Sequence, residues 1–243
     1  MRTETFHTPG DAAVRIRIPA GNIGIDTVEG EETRVELSSD AAVEEAATIR
    51  ARGSEVTVDV DEKRIFGFIR TAPDVNIRVT CPQGARIEVK SVSADVDVRG
   101  LVGPTDVKSV SGDVEVERVA GDLVVKSVSG DVAAAAVTGR TTLQTVSGDV
   151  RVDDAGGSVT AQTVSGDQYL GAVVQGSVTL KSVSGDMHVG IRRGSGVWLD
   201  VKSVSGDTSS ELAVDDTPPE GDGPLVELRA TAMSGDIRIV SAG

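Results

Sequence analysis

Aromatic residues are nearly missing from this 243-residue chain: one Trp, one Tyr and three Phe, or 2% of the total. A globular core of that size draws much of its buried area from large rings. Here valine and alanine supply most of a 39% hydrophobic fraction, so the expected core is tiled by small aliphatic side chains. Cysteine is as scarce. With Cys81 alone, no internal disulfide can form and nothing marks an oxidising compartment. Because Cys81 precedes Pro82, it reads as a buried small hydrophobe and not as a nucleophile. Positive charge is short as well, 24 Lys and Arg against 38 Asp and Glu, for a net charge of −14. That balance argues against a nucleic-acid partner, whose phosphates demand basic surface, and against anionic lipid headgroups.

Long apolar runs are also absent. None approaches the roughly 18 residues of a membrane-spanning helix, and residues 1–20 show no hydrophobic signal-peptide core. The expected compartment is the cytoplasm, with the cell surface as the alternative, and no membrane insertion is expected. No phosphate loop, metal cluster or serine triad is recognisable. Neither a cofactor nor a catalytic residue is expected, and the chain reads as a non-enzyme.

What the chain has is a repeat. The word Lys-Ser-Val-Ser-Gly-Asp, or a near copy, recurs eight times, ending at Asp95, Asp113, Asp131, Asp149, Asp167, Asp186, Asp207 and Asp236. The first four intervals are 18 residues each, and the next three are 19, 21 and 29. A period held that closely makes each copy one turn of a stacked backbone. Between copies, Val114-Glu115-Val116-Glu117 and Leu123-Val124-Val125-Lys126 alternate as strands do, with a Gly-centred bend between them. The expected fold is all-β: a single-stranded parallel β-solenoid of about 18 residues per turn, neighbouring turns roughly 4.8 Å apart.

Aligning the turns sorts residues into columns. Val96, Val114, Val132, Val150, Gln168, Met187, Thr208 and Ile237 should face inward, as should Val98, Val116, Ala134, Val152, Leu170, Val189, Ser210 and Ile239. The residues between them, including Arg151, Tyr169, His188 and Arg238, should face solvent. The motif valines Val92, Val110, Val128, Val146, Val164, Val183 and Val204 are expected to be buried, although strict alternation from Val107 or Val125 would turn them outward. A corner at the preceding serine would reset the phase, leaving two or three faces open.

Residues 1–85 are less regular and are expected to form a β-rich cap with the first irregular rungs. Strand-like stretches lie at 14–18, 22–28, 33–38, 55–61 and 74–80, with a short helix or turn in 41–52. Ile23-Gly24-Ile25-Asp26 reads as an early rung, and 63–73, with Phe66 and Phe68, as a packed loop. Residues 86–243 are the regular solenoid, continuous with the cap as one domain. An acidic Pro/Gly-rich loop at 208–224 is expected before the last rung.

The stacked aspartates need an explanation, because unit charges at that spacing repel by about 1 kcal/mol even in water. The simplest is structural: each carboxylate accepts a backbone N–H within its own turn, while Lys90, Lys108, Lys126, Lys181 and Lys202 offset part of the charge. An alternative is a calcium-stabilised repeat, since nine-residue Gly-Asp repeats bind Ca²⁺ in β-rolls; here the doubled Gly is missing. Ala94, in the Gly place of the first copy, means either that the first turn is strained or that the bend does not require a left-handed backbone. A second alternative is a carbohydrate-binding or carbohydrate-active β-helix using Arg151, Tyr169, His188 and Trp198 as a ligand site. A threonine file, Thr142, Thr160 and Thr179, is similar to part of an ice-binding surface.

At Lys108-Ser109-Val110-Ser111-Gly112-Asp113-Val114, where the word is fullest, the chain resembles the bacterial putative-adhesin family of β-strand repeats, a domain of unknown function. The resemblance spans roughly residues 10–240, including Ile16-Arg17-Ile18 and Asn22-Ile23-Gly24-Ile25. It implies a β-solenoid acting as an interaction scaffold and brings no catalytic residue. The function expected is a non-enzymatic scaffold with a protein partner or self-association.

Overall fold

The computed structural model describes residues 1–60, 75–212 and 224–243. Contacts divide the chain into two compact units, residues 1–120 with 125–127 and residues 121–124 with 128–243; each is taken by itself below. The first contains β1 (Arg2–His7), β2 (Ala13–Val28), β3 (Glu32–Ser38), α1 (Ala41–Ala46), β4 (Thr48–Arg52), β5 (Glu55–Asp59), β6 (Val75–Pro82), β7 (Arg86–Val102), β8 (Thr105–Lys108) and β9 (Val114–Val119). After β10 (Leu123–Lys126), at the division, the second holds β11 (Val132–Val137), β12 (Thr141–Gln144), β13 (Val150–Ala155), β14 (Val159–Gln162), β15 (Gln168–Val173), β16 (Gly176–Ser184), β17 (Met187–Arg192), β18 (Gly196–Ser205), β19 (Thr208–Ser210), β20 (Leu225–Ser234) and β21 (Ile237–Ala242).

The second unit is a parallel solenoid with two strand files. β12, β14, β16, β20 and β18 stack in one file. In the other, β11, β13, β15, β17, β21 and β19 follow one another. Side chains of the first file alternate in size where they face inward, Leu143, Ala161, Leu180 and Ala230 in register, all buried. The second file buries Val150, Gln168, Met187 and Ile237 in one column. Small aliphatic residues fill this narrow interior without rings, which is how the core closes with so few aromatics.

Stack order departs from sequence order at the C-terminal end. β20 pairs with β16 on one side and β18 on the other, so the rung of Asp236 sits between those of Asp186 and Asp207. The rung that comes last in the sequence is therefore not the outermost. Residues 208–210 form β19 instead of opening a loop, and Thr217-Pro218-Pro219 and Gly221-Asp222-Gly223 lie outside the described residues.

The first unit shows the same device. The early rung at 23–26 belongs to β2, a long strand that stacks on β7 on one side and on β5 and β6 on the other. The outer edges of β5 and β6 are covered by antiparallel β4 and β3, and β3 also carries β1. Part of the expected cap is thus a rung of the stack, and β1 is a strand that the charged N-terminal residues concealed. The 41–52 segment divides into α1 and β4, while 63–73, with Phe66 and Phe68, lies outside the described residues.

One column is corrected. The motif valines are not buried: Val92, Val110, Val128, Val146, Val164 and Val183 are each 45–48% exposed and Val204 is 82% exposed. Alternation runs unbroken from Leu143 through Gln144 and Thr145 to Val146, and phase resets after the valine, at Gly-Asp. The inward place before each valine belongs to a hydroxyl residue: Ser109, Ser127, Thr145, Thr163 and Ser182 are buried. Several turn back to the corner, Ser109 Oγ donating to Ser111 O at 2.8 Å and Thr145 Oγ1 to Ser147 O at 3.2 Å. A buried valine there would lose these bonds, leaving Ser147 O with the Gly130 N–H at 3.2 Å.

Candidate functional site

The repeated word builds a corner, and every element of it has a geometric reason. The motif glycines Gly112, Gly130, Gly148, Gly166, Gly185, Gly206 and Gly235 all have φ between 114° and 148°, where an L side chain is strained. A Cβ on Gly148 would also overlap the carbonyl oxygen of Gly130 in the rung before. The bend therefore does require glycine. Ala94 escapes because its own φ is not positive, as for every non-glycine residue among the described ones; at that copy the chain runs straight through as part of β7, and its partner Gly21 takes the positive φ instead.

The aspartates tie rung to rung. Asp95 Oδ1 accepts the backbone N–H of Asp113 at 3.0 Å in the first unit. In the second, Asp131 receives the N–H of Asp149, Asp149 that of Asp167, Asp167 that of Asp186, Asp186 that of Asp236 and Asp236 that of Asp207, all at 2.7–2.8 Å. The bond is between turns, not within a turn. A peptide N–H placed between successive carboxylates offsets their repulsion. Three of the motif lysines serve other acids: Lys90 pairs with Glu88, Lys108 with Asp106 and Lys202 with Asp200. The column continues outward in the first unit as Asn22 and Asn76, joined by a hydrogen bond in which Asn22 Nδ2 donates to Asn76 Oδ1 at 2.8 Å. The Gly21-Asn22-Ile23 stretch was the sequence signal for this uncharged extension.

For calcium the donor set is thin. Among the described residues no group of three or more His, Cys, Asp and Glu side chains could hold a metal ion, and the carboxylates of Asp95, Asp131, Asp149, Asp167, Asp186 and Asp236 each already accept a neighbouring rung's N–H.

The ligand-site residues separate into two places. Arg151, Tyr169 and His188 occupy successive rungs of the second file. The rings of Tyr169 and His188 stack at 5.0 Å and 6°, and the Arg151 guanidinium lies 4.5 Å from the tyrosine centroid. Both faces of Tyr169 are therefore covered, leaving no free ring platform for a sugar. Trp198 stands on β18, in the other file, under Arg229 at 5.8 Å. Two cation–π pairs replace one site. Thr142, Thr160 and Thr179 do form a file, which then gives way to Arg229 and Asp200.

Cys81 is fully buried, and burial, with a smaller push from Asp26, raises its thiol pKa to about 12. Glu88, bridged by Lys90 at 2.6 Å and by Arg15 at 2.8 Å, is held down to about 2, chiefly by the Lys90 hydrogen bond and then by Arg15. Arg15 also reaches Glu55 at 2.7 Å, so this cluster joins three adjacent strands.

What remains exposed is the valine column. Within the second unit Val128, Val146, Val164 and Val183 form a ridge, and a shallow groove of about 360 Å³ runs beside it between Gln144, Gln162, Lys181, Val164 and Val183. A cleft of about 410 Å³ in the first unit is lined by Asn22, Asn76, Asp95, Asp97, Glu36 and Arg78 among others. The ridge was missed because a repeated valine reads as core; the signal was strict alternation from Val107 and Val125.

Comparison with solved structures gives the fold independent support. A putative adhesin from Parabacteroides distasonis is 14% identical with a TM-score of 0.59, over 98% of this chain and 96% of that one. One from Bacteroides fragilis is 13% identical at 0.53, over 99% and 96%, and one from Parabacteroides merdae 9% identical at 0.54, over 98% and 95%. No curated protein matches. No helix among the described residues is long and apolar enough to cross a membrane. The sequence profile of the family described as Toastrack DUF4097 matches residues 12–240, and the chain belongs to that family of β-strand repeat domains of unknown function.

Proposed function

We propose that the protein is a non-enzymatic β-solenoid scaffold that binds a protein partner along the exposed valine ridge of its second unit. One observation carries this reading: the repeat spends a branched apolar side chain on each rung at a place on the outward side, nearly half exposed. Apolar surface gathered in a row and bordered by a groove is what a partner surface needs. Solved neighbours named as putative adhesins agree with a binding role. The non-enzymatic part is supported by the state of the reactive groups. Cys81 is sealed and its thiol is kept protonated, His188 is stacked against Tyr169, and His7 lies on the surface, 3.8 Å from Glu31.

The test is site-specific photo-crosslinking in the native host, with a photoreactive amino acid at Val146, Val164 or Val183 and, as control, at Arg151 on the other file. Discrete adducts at the ridge and none at Arg151 are expected. Equal yields at both, or none at the ridge, overturn the reading.

A further inference from the structure

The parallel stack of the second unit ends on β18, and that edge has a sequence suited to one occupant. β18 pairs with β20, and among the described residues with no other strand. Its inward column shows what is lost. Leu228 and Leu180 are fully buried, while Val197, Leu199 and Val201, in register with Val226, Leu228 and Ala230, stay partly exposed. Outward, β18 carries Trp198, 49% exposed, and Val204, 82% exposed. The ladder also stops there: Asp207 donates its N–H to Asp236 Oδ1 at 2.8 Å, and among the described residues its own carboxylate receives none. An edge with unpaired peptide groups and uncovered apolar side chains is a template for another strand.

We propose that this edge is completed by β18 of a second copy of the chain, antiparallel, about a two-fold axis passing through Val201. In that register Asp200 stands opposite Lys202 of the second copy and Lys202 opposite its Asp200, so two oppositely charged pairs form across the strands. Trp198 falls opposite Val204 of the second copy, joining the two exposed apolar side chains, and Val201 meets its own counterpart on the core side. The parallel in-register alternative sets Lys202 on Lys202 and Asp200 on Asp200 and is repelled. Head-to-tail stacking needs a free parallel rung, and in the first unit the outer edges of β5 and β6 are already covered by antiparallel β4 and β3. The pairing is therefore closed and stops at two copies. This deepens the scaffold reading, on which it rests only in assigning the molecule a role in association, and apart from Val204, at the end of the motif-valine column, it uses residues outside the ridge.

The test combines light scattering over a dilution series with fluorescence of Trp198, the only tryptophan. The wild type should go from 25.0 kDa to twice that mass on concentration, with a blue shift as Trp198 is covered. Lys202→Asp should hold the protein at the lower mass, and the double variant Asp200→Lys with Lys202→Asp, which restores opposite charges, should recover the dimer. A mass of 25.0 kDa at every concentration, with unchanged fluorescence, overturns the pairing, and so does a dimer that survives Lys202→Asp. The dilution series needs no variant, so misfolding of a variant leaves the test intact. A monomeric result leaves ridge crosslinking untouched, and absent crosslinking leaves the dimer untouched.

Discussion

At the residue scale, the corner word is a set of separable requirements. Gly148 has φ 133° and no room for a Cβ, so Gly148→Ala should cost at least about 2 kcal/mol, strain and overlap combined. Ala94→Gly, where φ is not positive, should cost less than about 1 kcal/mol. Urea unfolding of the two variants separates them. At the neighbouring position the requirement is an acceptor, not a charge. Asp149→Asn keeps an oxygen for the Asp167 N–H and should be near neutral, whereas Asp149→Ala should lose about 1 kcal/mol; Asn22 and Asn76 already fill equivalent places. Acid should act through Glu88. Its folded pKa, about 2, lies below the ordinary 4.5, so its contribution is complete above pH 4.5 and is lost as pH falls toward 2. Glu88→Gln should therefore be less stable than the wild type at neutral pH, lose less on acidification, and converge with it near pH 2 in acid-dependent unfolding.

At the element scale, inward and outward columns differ in what they tolerate. Leu143 is fully buried and Val146, three residues on, is nearly half exposed. Leu143→Ala should cost about 2–5 kcal/mol and Val146→Thr no more than about 0.5; thermal unfolding of both decides the assignment. The period-2 strands and the 18-residue turn were legible in the sequence because local alternation and repetition cause them directly. The side on which the valines fall was less so. It depends on where the corner resets the phase, and that is set by glycine φ and buried hydroxyls whose carbonyl partners lie at the corner. The grouping of Arg151, Tyr169 and His188 could be read from their common column, whereas Trp198 stands 10 residues after His188, about half a turn, and so falls in the other file.

At the scale of the whole molecule, rung order was the least legible property. Motif spacing counts turns but does not say which turn stacks on which, and the long 29-residue interval was the one hint that a rung is skipped. Inserting β20 and β21 between neighbours that precede them makes the C-terminal strands internal. Ending the chain after residue 224 should thus remove hydrogen-exchange protection from β18 and β19 as well, since β20 and β21 are their described partners. Loss confined to the deleted strands would mean that the stack follows the sequence.

The most direct measurement asks which way the motif valine points. Val146→Cys, Val164→Cys and Val183→Cys, with Leu143→Cys and Leu180→Cys as inward controls, can be labelled with a thiol reagent in the folded protein. Background is low because the one native thiol, Cys81, is fully buried with its pKa pushed up to about 12. Fast labelling at the three valine positions and protection at the two leucine positions is the result this account predicts. Protection at the valine positions would contradict it, returning the valines to the core and removing the ridge.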